Sequence, residues 1–305
     1  MIEQRHGERT GYLAHEGFIE PLLEELGGAT EVHGRLVLED GPPTPARWAL
    51  NVWKAPVLIP IRSIGHAAAA LRAIQGGWAA YAPMHVRRTA LIVGRLPHVS
   101  AKPLRFPKPP PATPLGSFTL LAPDLLLAAA DCSSPFPNGE ARFVEDHLGP
   151  PSRAYLKLWE ALTRVGDHPT SGQRCIDLGG SPGGWTWALA ALGARVLAVD
   201  KAPLDPRIAA LPGVTFRRGS AFELDPSGEE PVDWLCSDVV CYPARLLKLL
   251  ERWVAARTCR RILATVKFQG PTDHGVVRDF AALPGATLFH GFHNGHELML
   301  HCRLD

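Results

Sequence analysis

The chain has 305 residues, 46% of them hydrophobic, with 32 Lys/Arg against 30 Asp/Glu and a formal net charge of +2. That length suits two domains better than one small one, and that composition can bury a real core. Six scattered cysteines without a C-x-x-C pair indicate neither a zinc ribbon nor a disulfide framework. The polar start at Met1–Arg9 does not read as a signal peptide, and no apolar run approaches the length of a membrane span, so a cytoplasmic protein without a membrane partner is expected.

In chain order, residues 16–26 place Phe18, Leu22 and Leu26 at helical spacing, with Pro21 tolerable only in a first turn. Val32–Leu38 alternates loosely like a strand, and Ala49–Ile61 reads as extended, with prolines limiting any central strand. Ser63 is placed to cap a helix running to Gln75. Residues 1–98 thus form a small α+β domain. From 99 to 131 the chain begins proline-dense and is expected to act as a semi-rigid linker or wrapping arm. Between Asp40 and Asp124 there is no acidic residue, while Arg47, Lys54, Arg62, Arg72, Arg87, Arg88, Arg95, Lys102, Arg105 and Lys108 all fall there. Scattered basic residues are often no more than a solvated face. Charge this one-sided also suits a polyanion whose counterions are released on binding, which makes Arg87, Arg88, Arg95, Lys102, Arg105 and Lys108 candidate RNA contacts.

Residues 132–305 alternate strands and helices as a parallel sheet requires. Strands are expected near 174–178, 195–199, 213–217, 232–237, 261–267, 286–291 and 297–303. The fold class is α/β: a Rossmann-like domain with a seven-stranded, mostly parallel sheet beside the smaller N-terminal α+β domain. Ahead of the first strand, Tyr155, Leu158, Leu162 and Val165 form one apolar helical stripe, and Lys157 lies off it. After that strand comes Asp177-Leu178-Gly179-Gly180-Ser181-Pro182-Gly183-Gly184-Trp185. A glycine-rich turn opening a helix lets a ligand lie against bare backbone and the helix N-terminus. The spacing fits neither G-x-G-x-x-G nor a P-loop. Asp200, at the end of the next strand, is placed to accept hydrogen bonds from a ribose diol.

The turn D-L-G-x-x-P-G-G-W resembles the first motif of S-adenosylmethionine (SAM) methyltransferases of the FtsJ-type ribose 2′-O-methyltransferase family. Ser-Arg-Ala-x-x-Lys-Leu, Ser-Asp, Val-Lys-Phe-Gln and His-Glu-Leu resemble that family's Lys-Asp-Lys-Glu tetrad, which falls on Lys157, Asp238, Lys267 and Glu297. Ser133-Ser-Pro-Phe136, Pro-Ser-Arg at 151–153 and Asp238-Val-Val-Cys-Tyr-Pro-Ala-Arg245 are similar to the RlmM group, whose members methylate a cytidine ribose of large-subunit (23S) ribosomal RNA and carry a THUMP domain. The resemblance implies a SAM-dependent RNA 2′-O-methyltransferase with rRNA or a ribosomal precursor as partner. It assigns SAM to Asp177, Gly179–Trp185, Asp200, Ser220, Ala221, Phe222 and Asp238, adds Arg153 to the RNA contacts, and makes the N-terminal region a THUMP-like or reduced RNA-binding domain. Where relatives often have an acidic residue after the third strand, Gly219-Ser220-Ala221-Phe222 leaves the adenine to backbone and Phe222.

A ribose hydroxyl is a poor nucleophile, so methyl transfer needs in-line alignment and a base. Lys267 is given that role, with mutual repulsion and desolvation expected to make a neutral amine accessible near Lys157 and Lys267. Three other readings stand beside this one. A zinc hydrolase would use His290, His293, His296 and His301, but H-E-x-x-x-H is one residue longer than the zinc helix motif and no metal is assigned. A small-molecule O-methyltransferase would leave the basic N-terminal half without a role. A non-catalytic RNA-binding scaffold would need no tetrad.

Overall fold

A computed structural model describes residues 9–28 and 31–305, which separate into two compact units: 9–28 and 31–104 with 110–142, and 105–109 with 143–305.

The first unit contains two sheets. β1 (Arg9–Ala14), β2 (Glu31–His33), β3 (Leu36–Asp40), β4 (Ala49–Lys54) and the short β9 (Asp131–Cys132) form an antiparallel sheet in the order β2-β3-β1-β4-β9, preceded in packing by helix α1 (Ile19–Leu26). The second sheet runs β5-β8-β7-β6, from β5 (Val57–Pro60), β6 (Trp78–Ala80), β7 (Gly116–Ala122) and β8 (Leu125–Ala129). Helices α2 (Ile64–Ile74) and α3 (Val86–Val93) bury Ala67, Leu71 and Ile92 against Phe118, Leu120 and Leu126 of that sheet. Each such fully buried large side chain contributes about 2 kcal/mol. The Ser63 hydroxyl accepts from the His66 amide and caps α2 as its position in the sequence suggests.

Three expectations change in this unit. Val32–Leu38 is a tight hairpin, because Gly34 takes a positive φ of 61° and turns β2 back on β3. Ala49–Ile61 is two strands in different sheets, separated at Ala55 with φ 43°. The segment 99–131 is no simple linker: residues 116–129 are the hairpin β7–β8 inside a sheet, and the first unit runs on to Arg142. The proline-dense run ends at Pro114, and the apolar runs on either side of Pro123 can pair; Phe118, Leu120, Leu126 and Leu127 are fully buried.

The second unit follows the expected alternation closely. Helix α4 (Tyr155–Val165) precedes β10 (Arg174–Leu178), α5 (Gly184–Ala191), β11 (Arg195–Asp200), α6 (Pro206–Ala209), β12 (Val214–Arg218), β13 (Val232–Ser237), α7 (Pro243–Ala256), β14 (Cys259–Lys267), α8 (His274–Ala281), β15 (Ala286–Phe289) and β16 (Glu297–Arg303). The sheet order is β12-β11-β10-β13-β14-β16-β15, parallel except for β16, which runs antiparallel to both neighbours. The order reverses beside β10, so the carboxyl ends of β10 and β13 flank the crevice in which open α/β sheets bind ligands. Residues 105–109 belong to this unit, where the Phe106 ring stacks on Trp159 with 14° between the planes.

Candidate functional site

The glycine turn leaves β10 at Gly179, whose φ is +78° and whose missing Cβ would meet the Val239 Cα at 2.9 Å. Only glycine lets the turn close on the loop after β13. Gly183 has φ +121°, and a Cβ there would strike Ile208 at 2.8 Å; Gly180 and Gly184 pack closely on Ala198 and Ser152. The Trp185 indole is buried and donates to the Ala154 carbonyl, which ties α5 to the start of α4. Asp200 accepts from the Ser181 amide at 3.0 Å and the Ala202 amide at 2.9 Å, fixing the turn against β11, while the Ser181 hydroxyl donates to the Pro203 carbonyl. Each carboxylate oxygen of Asp200 retains a lone pair for a further donor.

A cavity of about 200 Å³ opens at this crevice, lined among others by Gly179, Asp200, Ser220, Ala221 and Phe222. Its far wall is Val239, Val240 and Arg245, with the Arg245 guanidinium 3.8 Å above the Phe222 ring. The Ser220 hydroxyl accepts from the Phe222 amide, so it is engaged in shaping the loop. Beneath the turn, Asp177 is fully buried; one carboxylate oxygen accepts from the Thr186 hydroxyl at 2.7 Å and the other has no partner. Burial pushes its carboxyl up to about 7. Bare backbone, an acidic residue on the neighbouring strand and an aromatic ring in the wall fit the nucleoside half of SAM.

The four tetrad positions come from four elements and meet in one cluster. Lys157 on α4 donates to both Asp238 oxygens at 2.9 and 3.0 Å and lies 3.1 Å from the Glu297 carboxylate. Lys267 at the end of β14 lies 2.9 Å from the same Asp238 carboxylate and also donates to the Asp238 main-chain carbonyl. Glu297 opens β16 in register with Lys267, because β16 pairs antiparallel with β14. Burial works against the charge on Lys157, but Asp238 and Glu297 outweigh it and hold the amine above the usual lysine range. A lowered lysine is therefore not found at Lys157: the two carboxylates beside it outweigh burial. Burial likewise raises Asp238, yet Lys157 and Lys267 together leave it below the usual carboxylate range.

Three supporting residues escaped the sequence reading. The Thr265 hydroxyl donates to Asp238 at 2.7 Å; two residues before Lys267 on one strand, it shares that side chain's face. Asn294, buried, donates to Glu297 at 2.9 Å and accepts from the Gly291 amide. Glu160, one turn along α4 from Lys157 and 1% exposed, accepts from the amides of Phe292 and His293 and from Arg164. A glutamate inside the apolar run Leu158-Trp159-Glu160-Ala161-Leu162 was the available signal.

The histidines serve the framework. His296 pairs with the Thr272 hydroxyl and His290 with the Gly295 carbonyl, and no group of three or more His, Cys, Asp or Glu among the described residues is placed to hold a metal ion. Of the candidate RNA contacts, Arg87 and Arg88 share α3, with Arg87 exposed and the Arg88 Nε buried without a partner. Arg95 follows that helix, and Lys102 lies exposed further along the first unit. In the second unit Arg105 and Lys108 are exposed in one turn, and Arg153 is engaged in a two-toothed ion pair with Glu145 at 2.7 and 3.0 Å. No helix among the described residues is long and apolar enough to cross a membrane.

Residues 150–279 match the family described as FtsJ-like methyltransferase. Similar curated proteins carry the name ribosomal RNA large subunit methyltransferase M. The one from Halorhodospira halophila is 42% identical over 120 residues, covering 38% of this chain and 35% of its own. Those from Azoarcus sp. and Marinobacter nauticus are 37% and 36% identical, over 45% and 46% of this chain and 38% and 40% of theirs. The chain thus spans well under half the length of these relatives in the matched region. The stretch that matches the FtsJ-like methyltransferase family, residues 150–279, includes the glycine turn, Lys157, Asp238 and Lys267.

Proposed function

We propose that this protein is a SAM-dependent RNA 2′-O-ribose methyltransferase acting on large-subunit ribosomal RNA in the cytoplasm. The observation that carries the reading is the convergence of Lys157, Asp238, Lys267 and Glu297 beside the nucleoside-sized crevice of an FtsJ-like domain. The similar proteins named for large-subunit rRNA methylation supply the substrate class, and the acid-free, basic stretch of the first unit supports a polyanion as partner.

SAM, when bound, supplies a methyl group on a positively charged sulfur. Gly179, Asp200, Ser220, Ala221 and Phe222 would hold its nucleoside half in the crevice. Lys157 has its three donor hydrogens directed at Asp238 and Glu297, so its work is to bind those carboxylates together. Lys267 has contacts to one carboxylate oxygen and one carbonyl, which leaves its third direction for a substrate hydroxyl. In this proposal Lys267 acts as the free amine, its lone pair in that third direction taking the 2′-hydroxyl proton as the oxygen is methylated, and Asp238, held by Thr265, keeps the amine on line.

The test is transfer of labelled methyl from SAM to RNA from cells lacking this protein, followed by nuclease mapping. Label at a single large-subunit position, stable to alkaline cleavage there, is expected. Methylation of small molecules with none on RNA or ribosomal precursors would replace this reading with the small-molecule enzyme; SAM binding with no transfer to either would favour the scaffold.

A further inference from the structure

The loop from Asp238 to α7 carries a feature that the tetrad and the crevice do not use. Cys241 is buried, whereas Val240 and Tyr242 on either side are 74% and 70% exposed. With the residue between them buried, the pair lies on the outer side of the loop. Val240 also borders the crevice, and Asp238 stands only four residues before Tyr242. Four residues of chain span at most roughly 14 Å, the scale of a nucleotide and its neighbour.

The mounting of Tyr242 is rigid although its ring is free. Its carbonyl accepts from the Arg245 and Leu246 amides, and Pro243 starts α7 directly behind it. Tyr242 stands at the N-cap of this 14-residue helix and makes no side-chain cap bond. Ser, Thr, Asp or Asn there would stabilise the helix, so stability does not account for the tyrosine. An exposed aromatic ring on a stiff base, beside a site that must present a ribose, matches the way single-stranded RNA is held: unstacked bases lie on aromatic faces.

We propose that Tyr242, with Val240 beside it, is the platform on which an unpaired base at or next to the methylated nucleotide stacks, presenting its ribose to the tetrad. This rests on the RNA reading given above. The partner is a nucleobase rather than a phosphate, so the contribution is insensitive to salt, unlike that of the basic residues.

The experiment compares wild-type protein with Tyr242→Ala, Tyr242→Phe and Tyr242→Trp. Each is titrated into short single-stranded RNA carrying 2-aminopurine, into SAM, and into methyl-transfer assays on RNA from cells lacking the protein. Expected for Tyr242→Ala is a rise of about tenfold or more in the RNA dissociation constant and in KM. The Phe and Trp variants should recover the loss and the SAM affinity should stay constant. Unchanged RNA affinity in the alanine variant overturns the proposal. So does a loss that Phe and Trp fail to rescue, or one that SAM affinity follows in parallel, since either marks a purely structural role. Absence of methyl transfer by the wild type defeats the enzymatic reading instead, and the binding arm still decides the platform.

Discussion

Helix α4 serves two charged clusters that look alike in composition and differ in use. Glu160 is closed: its two oxygens receive Arg164 and two backbone amides of the 291–296 loop, and 1% of the residue is exposed. Lys157, three residues earlier, joins a cluster whose members keep some solvent access, at 15% for Lys157 and 17% for Lys267. A buried charge whose every partner belongs to the chain fixes structure. A cluster with a donor direction left over can meet a substrate.

Substitutions can break that contrast, and the largest effect belongs to the open cluster. Lys267→Ala should cut methyl transfer by at least about 100-fold, the usual worth of a positioned proton acceptor, while SAM binding and unfolding stability stay near wild type; wild-type rates in a folded variant would remove Lys267 from the chemistry. Glu160→Ala should do the reverse. Removing one partner of a buried charge network costs about 3–5 kcal/mol, read as a lower denaturant midpoint, with transfer falling in step. Loss of transfer at unchanged stability would move Glu160 into the chemical cluster.

Asp177 sharpens the comparison through pH. Its folded carboxyl lies near 7 against 3.8 for the ordinary group, so the native state holds a proton that the unfolded chain releases. That stabilisation is fully present below about 3.8 and fades as pH rises through 7. Between those limits unfolding free energy should decline with rising pH by a few kcal/mol, and Asp177→Asn should flatten the slope in pH-resolved denaturant titrations. Asp238, held low, acts in the opposite sense and only at more acid pH, where protonation removes its contribution. Smallest of all, Arg153→Ala should change RNA affinity less than Arg87→Ala, because Glu145 already engages Arg153. Salt titrations should show Arg87→Ala lowering the slope by up to about one counterion.

The second unit was legible because parallel strands buried on both faces are apolar runs with polar residues at their carboxyl ends. Ile176-Asp-Leu178, Leu197-Ala-Val-Asp200 and Thr265-Val-Lys267 show this directly. The first unit was less so. The β2–β3 pairing there depends on a single turn at Gly34, a break at Ala55 sends β4 and β5 to different sheets, and a strand pattern does not reveal which sheet it joins. Within the site, residue types with a chemical reason to be charged could be singled out, whereas Glu160 and Asn294 could not. Glu160 meets amides more than 130 residues away, and Asn294 reaches Glu297 only because its loop folds back. A lowered lysine was the wrong expectation at Lys157 because the sequence lists the four charges but not their separations.

The position of β16 has a consequence for how the protein comes into being. It comes after β14 and β15 in the chain, yet it lies between them in the sheet. The other three clustered side chains precede β16 in the chain, so the cluster is completed by Glu297 only when β16 seats between β14 and β15. Pairing slipped by one residue would turn Glu297 to the opposite face of the sheet. Correct register of β16 on β14 is therefore a condition for the complete set of charges.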